Sequence, residues 1–359
     1  MKILHVVGAR PNYMKTAPIM TAMARFPEKF AQVLVHTGQH YDYNMSKIFF
    51  DELEIPEPDE HLNVGSGTHA EQTARTMIAF EAVLRKYEPD WVFVVGDVNS
   101  TLACALVSVK LGVPVAHVEA GLRSHDLTMP EEINRLLTDH IARLLFTPSS
   151  DGDKNLLNEG ISQAQIHFVG NVMIDSLVRM LPRAEERFAR TDWALTPQTF
   201  VLVTLHRPSN VDDPAVLAEI LSALHEIGAH YPVICPLHPR TRERIVRLGI
   251  AQTSNIRFCE PLGYLDFIGL MRQARVVITD SGGVQEETTF LQIPCLTVRP
   301  NTERPVTITV GTNRLVRAER TALQEAFELA WKKSDSSSSV PLLWDGHAAT
   351  RIIDVMCRL

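Results

Sequence analysis

The sequence has little of what a secreted, membrane-spanning or nucleic-acid-binding protein needs. Only 5 of its 359 residues are cysteine, and their scatter, without a CxxC pair or zinc-ligand spacing, predicts free thiols in a reducing compartment. No apolar run approaches the roughly 20 residues of a membrane helix. An apolar segment begins directly after Lys2, so no secretory signal peptide is expected. Acidic residues outnumber basic ones by 42 to 35, which gives no support to general nucleic-acid binding. We therefore expect a cytoplasmic protein.

The composition is that of a globular protein, with 45% hydrophobic and 21% charged residues. A chain of 359 residues exceeds one ordinary core and suits two domains. The turn Gly170–Asn171 is the predicted boundary, which gives an N-terminal domain over 1–170 and a C-terminal domain over 171–345. The final amphipathic segment, 346–359, is predicted to be a helix that packs back on the first domain.

Short apolar runs alternate with helical segments in both halves of the chain. This order is typical of an α/β fold with doubly wound parallel sheets. The predicted strands are 3–7, 33–37, 91–97, a run from 115, 144–147, 166–169, 200–204, 233–236, 256–258, 276–279 and 295–298. Ligands of such sheets bind outside the carboxyl ends of the strands, so polar residues that follow a strand are the candidates for a site.

The densest group of such residues lies between Val115 and Arg135. Seven charged or titratable side chains crowd the end of the strand and the turn after it: Glu119, Arg123, His125, Asp126, Glu131, Glu132 and Arg135. Carboxylates, a histidine and arginines together indicate acid/base chemistry on an anionic substrate. A salt-bridged loop is the alternative interpretation.

Two other strand ends in the first half carry candidate groups. The turn GARPNYMK, Gly8 to Lys15, begins a helix whose backbone N–H groups could hold an anion, with Arg10 and Lys15 adding positive charge. It is neither a Walker A loop nor GxGxxG. Asp97 ends the third strand, where it could cap the next helix or act in catalysis.

The second half repeats this arrangement. His206 and His238, each followed within two residues by an arginine, end successive strands and indicate a shared site. The most specific segment is DSGGVQEE, 280–287, in which Ser281, Gly282 and Gly283 let a ligand approach a helix N-terminus, as a diphosphate would. A glutamate one turn inside, such as Glu287, could accept hydrogen bonds from ribose hydroxyls. Arg304 follows the next strand.

Taken together, these segments resemble the non-hydrolysing UDP-N-acetylglucosamine 2-epimerases. The matching motifs are GARPNYMK (8–15), GD (96–97), HVEAGLRS (117–124), PEEINR (130–135), HRPSN (206–210), DSGGVQEE (280–287) and NTERP (301–305). The resemblance implies two Rossmann-like domains facing a cleft, the GT-B architecture, with UDP bound by the C-terminal domain. It also implies a homodimer that interconverts UDP-N-acetylglucosamine (UDP-GlcNAc) and UDP-N-acetylmannosamine (UDP-ManNAc) without a cofactor; no metal site is evident.

The resemblance further implies a role for each matched residue. Asp97, Glu119 and Glu131 correspond to the catalytic carboxylates and His206 to the active-site histidine. The groups that bind substrate or support turnover are Arg10, Lys15, Arg135, Ser281, Gly282 and Glu287. His238, Gly283 and Arg304 are added as substrate-binding candidates from their own positions at strand ends.

The implied chemistry explains why such residues are needed. The hydrogen on C2 of the hexosamine is not acidic, but breaking the C1–O bond first makes C1 cation-like and acidifies it. Loss of UDP and of the C2 proton gives a 2-acetamidoglycal, and re-protonation from the other face with return of UDP gives the epimer. Carboxylates must serve both faces of C2, while cations and N–H donors hold UDP. Closure around the glycal would exclude water.

Several alternatives remain open. The first loop is ARPNYMK where many members have TRPEAIK. A 2-epimerase of a related substrate, such as UDP-2,3-diacetamido-2,3-dideoxyglucuronate, is therefore a second hypothesis. A GT-B glycosyltransferase and a catalytically silent nucleotide-sugar binder are the others. Acidic residues in 39–42 and 71–72, where many bacterial members bind a regulatory UDP-GlcNAc, predict that this chain needs no such activator.

Overall fold

The computed structural model describes residues 1–38, 52, 55–191, 193–237, 239–247, 255–332 and 338–359, with only the backbone for residues 10, 239 and 240. It divides into two compact units. Unit 1 comprises Met1–Arg179 with Leu342–Leu359, and unit 2 comprises Met180–Pro341. The boundary after Arg179 falls inside the helix that follows the Gly170–Asn171 turn.

Unit 1 contains a sheet of seven described strands, all paired in parallel. They are β1 (Lys2–Val7), β2 (Ala31–His36), β3 (Glu60–His61), β4 (Trp91–Val95), β5 (Val115–Val118), β6 (Leu144–Thr147) and β7 (Ile166–Phe168). Their order is β3-β2-β1-β4-β5-β6-β7. Strand order reverses between β1 and β4, which is the switch point where such sheets bind ligands.

Unit 2 repeats the topology with six described strands. They are β8 (Val201–Thr204), β9 (Val233–Pro236), β10 (Ile256–Cys259), β11 (Val276–Thr279), β12 (Cys295–Val298) and β13 (Asn313–Val316). The order β10-β9-β8-β11-β12-β13 places the switch point between β8 and β11. The strands predicted from apolar runs are confirmed. The edge strands β3 and β13 were not predicted, because each includes polar residues and neither is a continuous apolar run.

Helices connect the strands in both units. They are α1 (Arg10–Met23), α2 (His69–Tyr87), α3 (Asn99–Lys110), α4 (Pro130–Ile141), α5 (Ser150–Asn158), α6 (Val172–Arg190), α7 (Pro208–Val211), α8 (Pro214–Gly228), α9 (Pro239–Arg247), α10 (Tyr264–Gln273), α11 (Gly282–Leu291), α12 (Val306–Thr309), α13 (Arg320–Lys332) and α14 (Ala348–Met356). None of the described helices has the length and apolarity that crossing a bilayer requires.

The central strands form because they are rich in apolar residues that both faces of the sheet can bury. Every residue of β4, WVFVV, is buried, as expected for a parallel strand covered by helices on both faces. The helix α14 contributes Ala348, Ile352 and Met356 to a core cluster of unit 1 that also holds Ile19 of α1. Residues 342–359 therefore belong to the first unit although they end the chain.

Asp175 of α6 holds the first turn of α14. Its Oδ1 accepts from Ala348 N–H at 3.0 Å and its Oδ2 from Ala349 N–H at 2.7 Å, which satisfies two donors that a helix start leaves unpaired. Burial raises the pKa of Asp175 to about 6, although these two N–H groups oppose the rise.

We expect Asp175 to make stability depend on pH. Since its pKa is raised on folding, its contribution is fully present below the ordinary value of 3.8 and is lost as pH rises through about 6. A rise of about two pKa units corresponds to about 3 kcal/mol. Asp175→Asn removes the titration, so urea unfolding across this pH window should show a smaller loss of stability than in the parent protein. An unchanged pH dependence would contradict the assignment.

Candidate active site

In unit 1 a buried ion pair lies at the switch point. Lys15 of α1 donates from Nζ to Oε2 of Glu119, which follows β5, and the two side chains are 7% and 5% exposed. Gly96, after β4, packs against both: a Cβ there would lie 3.1 Å from Lys15 Nζ and 3.4 Å from Glu119 Oε2. Its φ of 68° is also one that glycine adopts readily. The structure thus brings β1, β4 and β5 together around one carboxylate.

Asp97 is held by a second ion pair beside the same strand end. Arg135 of α4 donates to Asp97 Oδ2 from Nε at 3.0 Å and from Nη2 at 2.6 Å. The Arg135 side chain is 4% exposed, whereas that of Asp97 is 25% exposed. The N-cap of α3 is Val98, without a side-chain cap bond. Asp97 is therefore a partly accessible carboxylate oriented by a buried arginine.

The buried side chain of Glu132 also pairs with Arg135. Its Oε2 accepts from Arg135 Nη1 at 2.6 Å and from the Ser124 N–H at 2.9 Å, and its Oε1 accepts from the His125 N–H at 2.8 Å. Burial alone would raise the pKa of Glu132, but these donors outweigh burial and the pKa is lowered. Glu132 is thus an ionised carboxylate that orders the loop after β5 and orients Arg135.

Glu131 stands apart from these contacts. It is half-buried in the first turn of α4, and the described part of the chain provides no hydrogen bond or ion pair to it. The structure therefore joins Asp97 to Arg135 and Glu119 to Lys15, and it joins Glu131 to neither pair. The resemblance singled out Glu131, but the sequence did not show that Glu132 beside it is the buried one.

In the turn after β1, a side chain accepts hydrogen bonds from two of the backbone amides. Asn12 Oδ1 accepts from the N–H groups of Gly8 at 3.1 Å and Ala9 at 2.9 Å, and Asn12 Nδ2 donates to Val95 O at 2.9 Å. A buried side chain of the same helix therefore occupies these two amides, and anion binding by the other N–H groups at the start of α1 stays a prediction. Arg10 begins α1, and its side chain lies outside the described atoms.

In unit 2, His206 follows β8 and is oriented by a buried carboxylate. Asp280, after β11, is fully buried and its Oδ1 lies 2.9 Å from His206 Nδ1. It also accepts from the N–H of Arg207 at 2.9 Å and from Asn210 Nδ2 at 3.0 Å. Burial would raise the pKa of Asp280, but His206 and these donors outweigh it and lower the pKa. The carboxylate only accepts, so Nδ1 carries a hydrogen, and the imidazole is 58% exposed.

The start of α11 combines helix amides with a cation. Ser281 is its N-cap, and a Cβ at Gly282 would lie 2.5 Å from Arg304 Nη1, so the missing side chain makes room for the guanidinium. Arg304 is 7% exposed and pairs with Glu286, at 2.8 Å from Nε to Oε1, and with Glu303. A helix N-terminus beside an arginine is suited to a phosphate group.

The remaining predicted residues of this unit lie in or near the same helix. Gly283 is half-buried in the first turn of α11. Glu287, one turn in, is 3% exposed, and its Oε1 accepts from the Tyr264 hydroxyl at 2.8 Å. His238 lies outside the described residues, as does 39–42. Within the described ranges, no group of three His, Cys, Asp or Glu side chains could hold a metal ion.

Sequence reasoning missed the buried polar face of α4. Glu132, Arg135 and Asp139 recur at i, i+3 and i+7 and are all buried, whereas Ile133 and Leu137 are 44% and 49% exposed. This reverses the usual amphipathic pattern. The spacing of the polar residues was a signal that they share one inward face.

Comparisons with known proteins identify the family of the chain. A family model described as UDP-N-acetylglucosamine 2-epimerase matches residues 23–357. A UDP-N-acetylglucosamine 2-epimerase of Methanocaldococcus jannaschii is 42% identical over 365 residues, 99% of each chain. A UDP-2,3-diacetamido-2,3-dideoxy-D-glucuronate 2-epimerase of Pseudomonas aeruginosa is 43% identical over 362 residues, the whole of each chain.

A solved structure extends the likeness to three dimensions. The crystal structure of the M. jannaschii UDP-GlcNAc 2-epimerase in complex with UDP-GlcNAc and UDP matches the whole of both chains with a TM-score of 0.92 at 42% identity. The predicted fold class, α/β with two parallel Rossmann-like sheets of the GT-B type, is confirmed.

Proposed function

Because the chain belongs to the UDP-N-acetylglucosamine 2-epimerase family, we propose that it interconverts UDP-GlcNAc and UDP-ManNAc. The proposed route is elimination of UDP to a 2-acetamidoglycal and re-addition after C2 is re-protonated from the other face. The observation that carries the proposal is the pairing of two strand-end carboxylates, Asp97 and Glu119, each with a buried cation at the switch point of unit 1.

We assign the acid and base steps at C2 to these carboxylates. Arg135 and Lys15 orient Asp97 and Glu119, because each buried cation pairs directly with its carboxylate. Arg135 and Lys15 thus affect the substrate indirectly, by orienting the two carboxylates. Glu131 is kept as a third catalytic candidate, since its half-buried carboxylate engages no described group.

We assign the UDP moiety to the switch point of unit 2. The Ser281 side chain, the amides of Gly282 and Gly283 and the Arg304 guanidinium would bind the diphosphate and stabilise its charge as the C1–O bond breaks. Glu287, oriented by Tyr264, would accept from the ribose hydroxyls. His206 is assigned to proton transfer, and His238 and Arg10 to substrate binding.

A second candidate substrate is UDP-2,3-diacetamido-2,3-dideoxyglucuronate. The P. aeruginosa 2-epimerase of this sugar is as similar to the chain as the M. jannaschii enzyme is, at 43% against 42% identity. The two substrates share the C1/C2 chemistry and differ at C3 and C6. A homodimer, a cytoplasmic location and independence from metals and activators stay predictions.

The test is proton NMR of the purified protein with UDP-GlcNAc in D₂O. We expect UDP-ManNAc with deuterium at C2 and little free UDP, because elimination exchanges the C2 hydrogen with solvent. Free ManNAc with UDP would instead show hydrolysis. If UDP-GlcNAc is unchanged while the diacetamido-uronate exchanges deuterium at C2, the second candidate replaces the first.

A further inference from the structure

A buried histidine lies between the two turns that carry Asp97 and Glu119. His117 of β5 has no exposed surface, and its Nε2 lies 2.8 Å from the carbonyl oxygen of Gly96, the residue before Asp97. Its Nδ1 lies 2.6 Å from Oδ1 of Asp139 on α4. The ring therefore connects the strand end that carries Asp97 to the inward face of α4.

Asp139 connects the same ring to the other turn. Its Oδ2 accepts from the N–H of Gly121, two residues after Glu119, at 3.0 Å. The same carboxylate lies 2.7 Å from Arg123 Nη1. One histidine–aspartate pair thus holds backbone groups on both turns, although neither member is among the candidate catalytic groups.

One residue of these turns has a costly backbone conformation. Glu119 has a φ of 70°, whereas the φ values of 68° at Gly96 and 80° at Gly121 are ones that glycine adopts readily. The left-handed region is costly for a residue with a side chain, on the order of 1 kcal/mol or more, and persists only where the surroundings impose it. A Cβ at Gly121 would lie 2.5 Å from the carbonyl oxygen of Gly152, so this turn is closely packed.

The hydrogen bonds determine where the protons are. A carbonyl oxygen only accepts, so His117 Nε2 donates to Gly96. Burial alone would raise the pKa of Asp139, but the facing His117 ring and Arg123 outweigh burial and lower it. Asp139 is therefore a carboxylate that accepts from Nδ1, and both nitrogens of His117 donate. Arg123 is balanced by Glu159, which accepts from Nε and Nη2 at 2.8 Å each.

We propose that His117 and Asp139 are a positioning pair, which sets the Asp97 and Glu119 carboxylates through the backbone of Gly96 and Gly121. The inference rests on the proposed epimerase function and deepens it. The pair contacts no reacting atom, so its loss should misplace the carboxylates in the transition state while leaving substrate binding almost intact. Such a change lowers kcat with little change in KM.

Two substitutions separate the two hydrogen bonds of the ring. In His117→Gln the amide nitrogen lies near the position of Nε2 and can still donate to Gly96, whereas in His117→Asn it lies near Nδ1 and can reach only Asp139. We expect His117→Asn to lower kcat about 100-fold with KM nearly unchanged. His117→Gln should recover a clear part of that loss.

A matched control is His5→Asn. His5 of β1 is equally buried, at 1% exposed, and its Nε2 lies 3.1 Å from Gln32 Oε1, away from both turns. The His5→Asn substitution should lower the melting temperature and leave kcat per folded molecule unchanged. The inference is overturned if His117→Asn keeps the parent kcat, or if His5→Asn lowers kcat by as much as His117→Asn does.

A second readout does not depend on turnover. In protein labelled with ¹⁵N-histidine, the His117 resonance, identified by its absence from His117→Gln, should show both ring nitrogens protonated at neutral pH. A ring with one protonated nitrogen overturns the inference even in an active enzyme. If the parent protein turns over neither UDP-sugar, the proposed function fails while this signature still tests the pair.

Discussion

Replacing Asp97 with asparagine is expected to lower epimerase turnover by about 10³-fold while UDP binding persists. The substitution keeps the size of the side chain but removes the charge that Arg135 orients and the ability to take up a proton. UDP is assigned to unit 2, which this residue does not belong to. Deuterium incorporation at C2 and calorimetric titration with UDP measure the two effects separately.

The matched control for this prediction is Asp90→Asn at the other end of the same strand. Asp90 Oδ2 accepts from the Lys2 N–H at 2.7 Å, before β4 begins, whereas Asp97 follows its carboxyl end. Its replacement should leave turnover at the parent level. A fully active Asp97→Asn protein would show that the catalytic assignment at this strand end is wrong.

Replacing Lys15 with methionine is expected to cost about 3 kcal/mol in the free energy of unfolding. Methionine fills a similar volume, but it removes the cation that offsets the burial of the Glu119 carboxylate. Adding Glu119→Gln to the same protein removes the buried charge as well, so the double variant should be more stable than Lys15→Met alone. Urea unfolding of the parent, both single variants and the double variant gives the coupling between the two side chains.

An exposed ion pair in the same unit is the control for burial. Lys86 pairs with Glu60, and the Lys86 side chain is 62% exposed. Because water screens such a pair, Lys86→Met should hardly move the urea midpoint. Equal effects of Lys15→Met and Lys86→Met would show that the Lys15–Glu119 pair does not have the energetics of a buried one.

The sequence located candidate polar residues at strand ends, but it did not identify their partners. It placed Asp97 and Glu119 after buried strands, but it did not give the strand order that brings both near the turn after β1. It did not show that Lys15 and Arg135 pair with these carboxylates, because each contact joins segments separated by 104 or 38 positions. Nor did it show that Asn12 accepts hydrogen bonds from the Gly8 and Ala9 amides at the start of the predicted anion-binding turn.

The sequence by itself determined every described strand except β3 and β13, their parallel arrangement and the family. A continuous apolar run such as β4 is stable only when both of its faces are buried. The motifs and their order along the chain resemble those of one family. Only the tertiary structure decided which of two adjacent glutamates is buried, and which histidine joins the catalytic turns. These are matters of helix rotation and of side-chain direction. A rotation of α4 by one residue would bury Glu131 in place of Glu132. The composition of PEEINR does not prevent that rotation, but the packing of α4 against the sheet does prevent it.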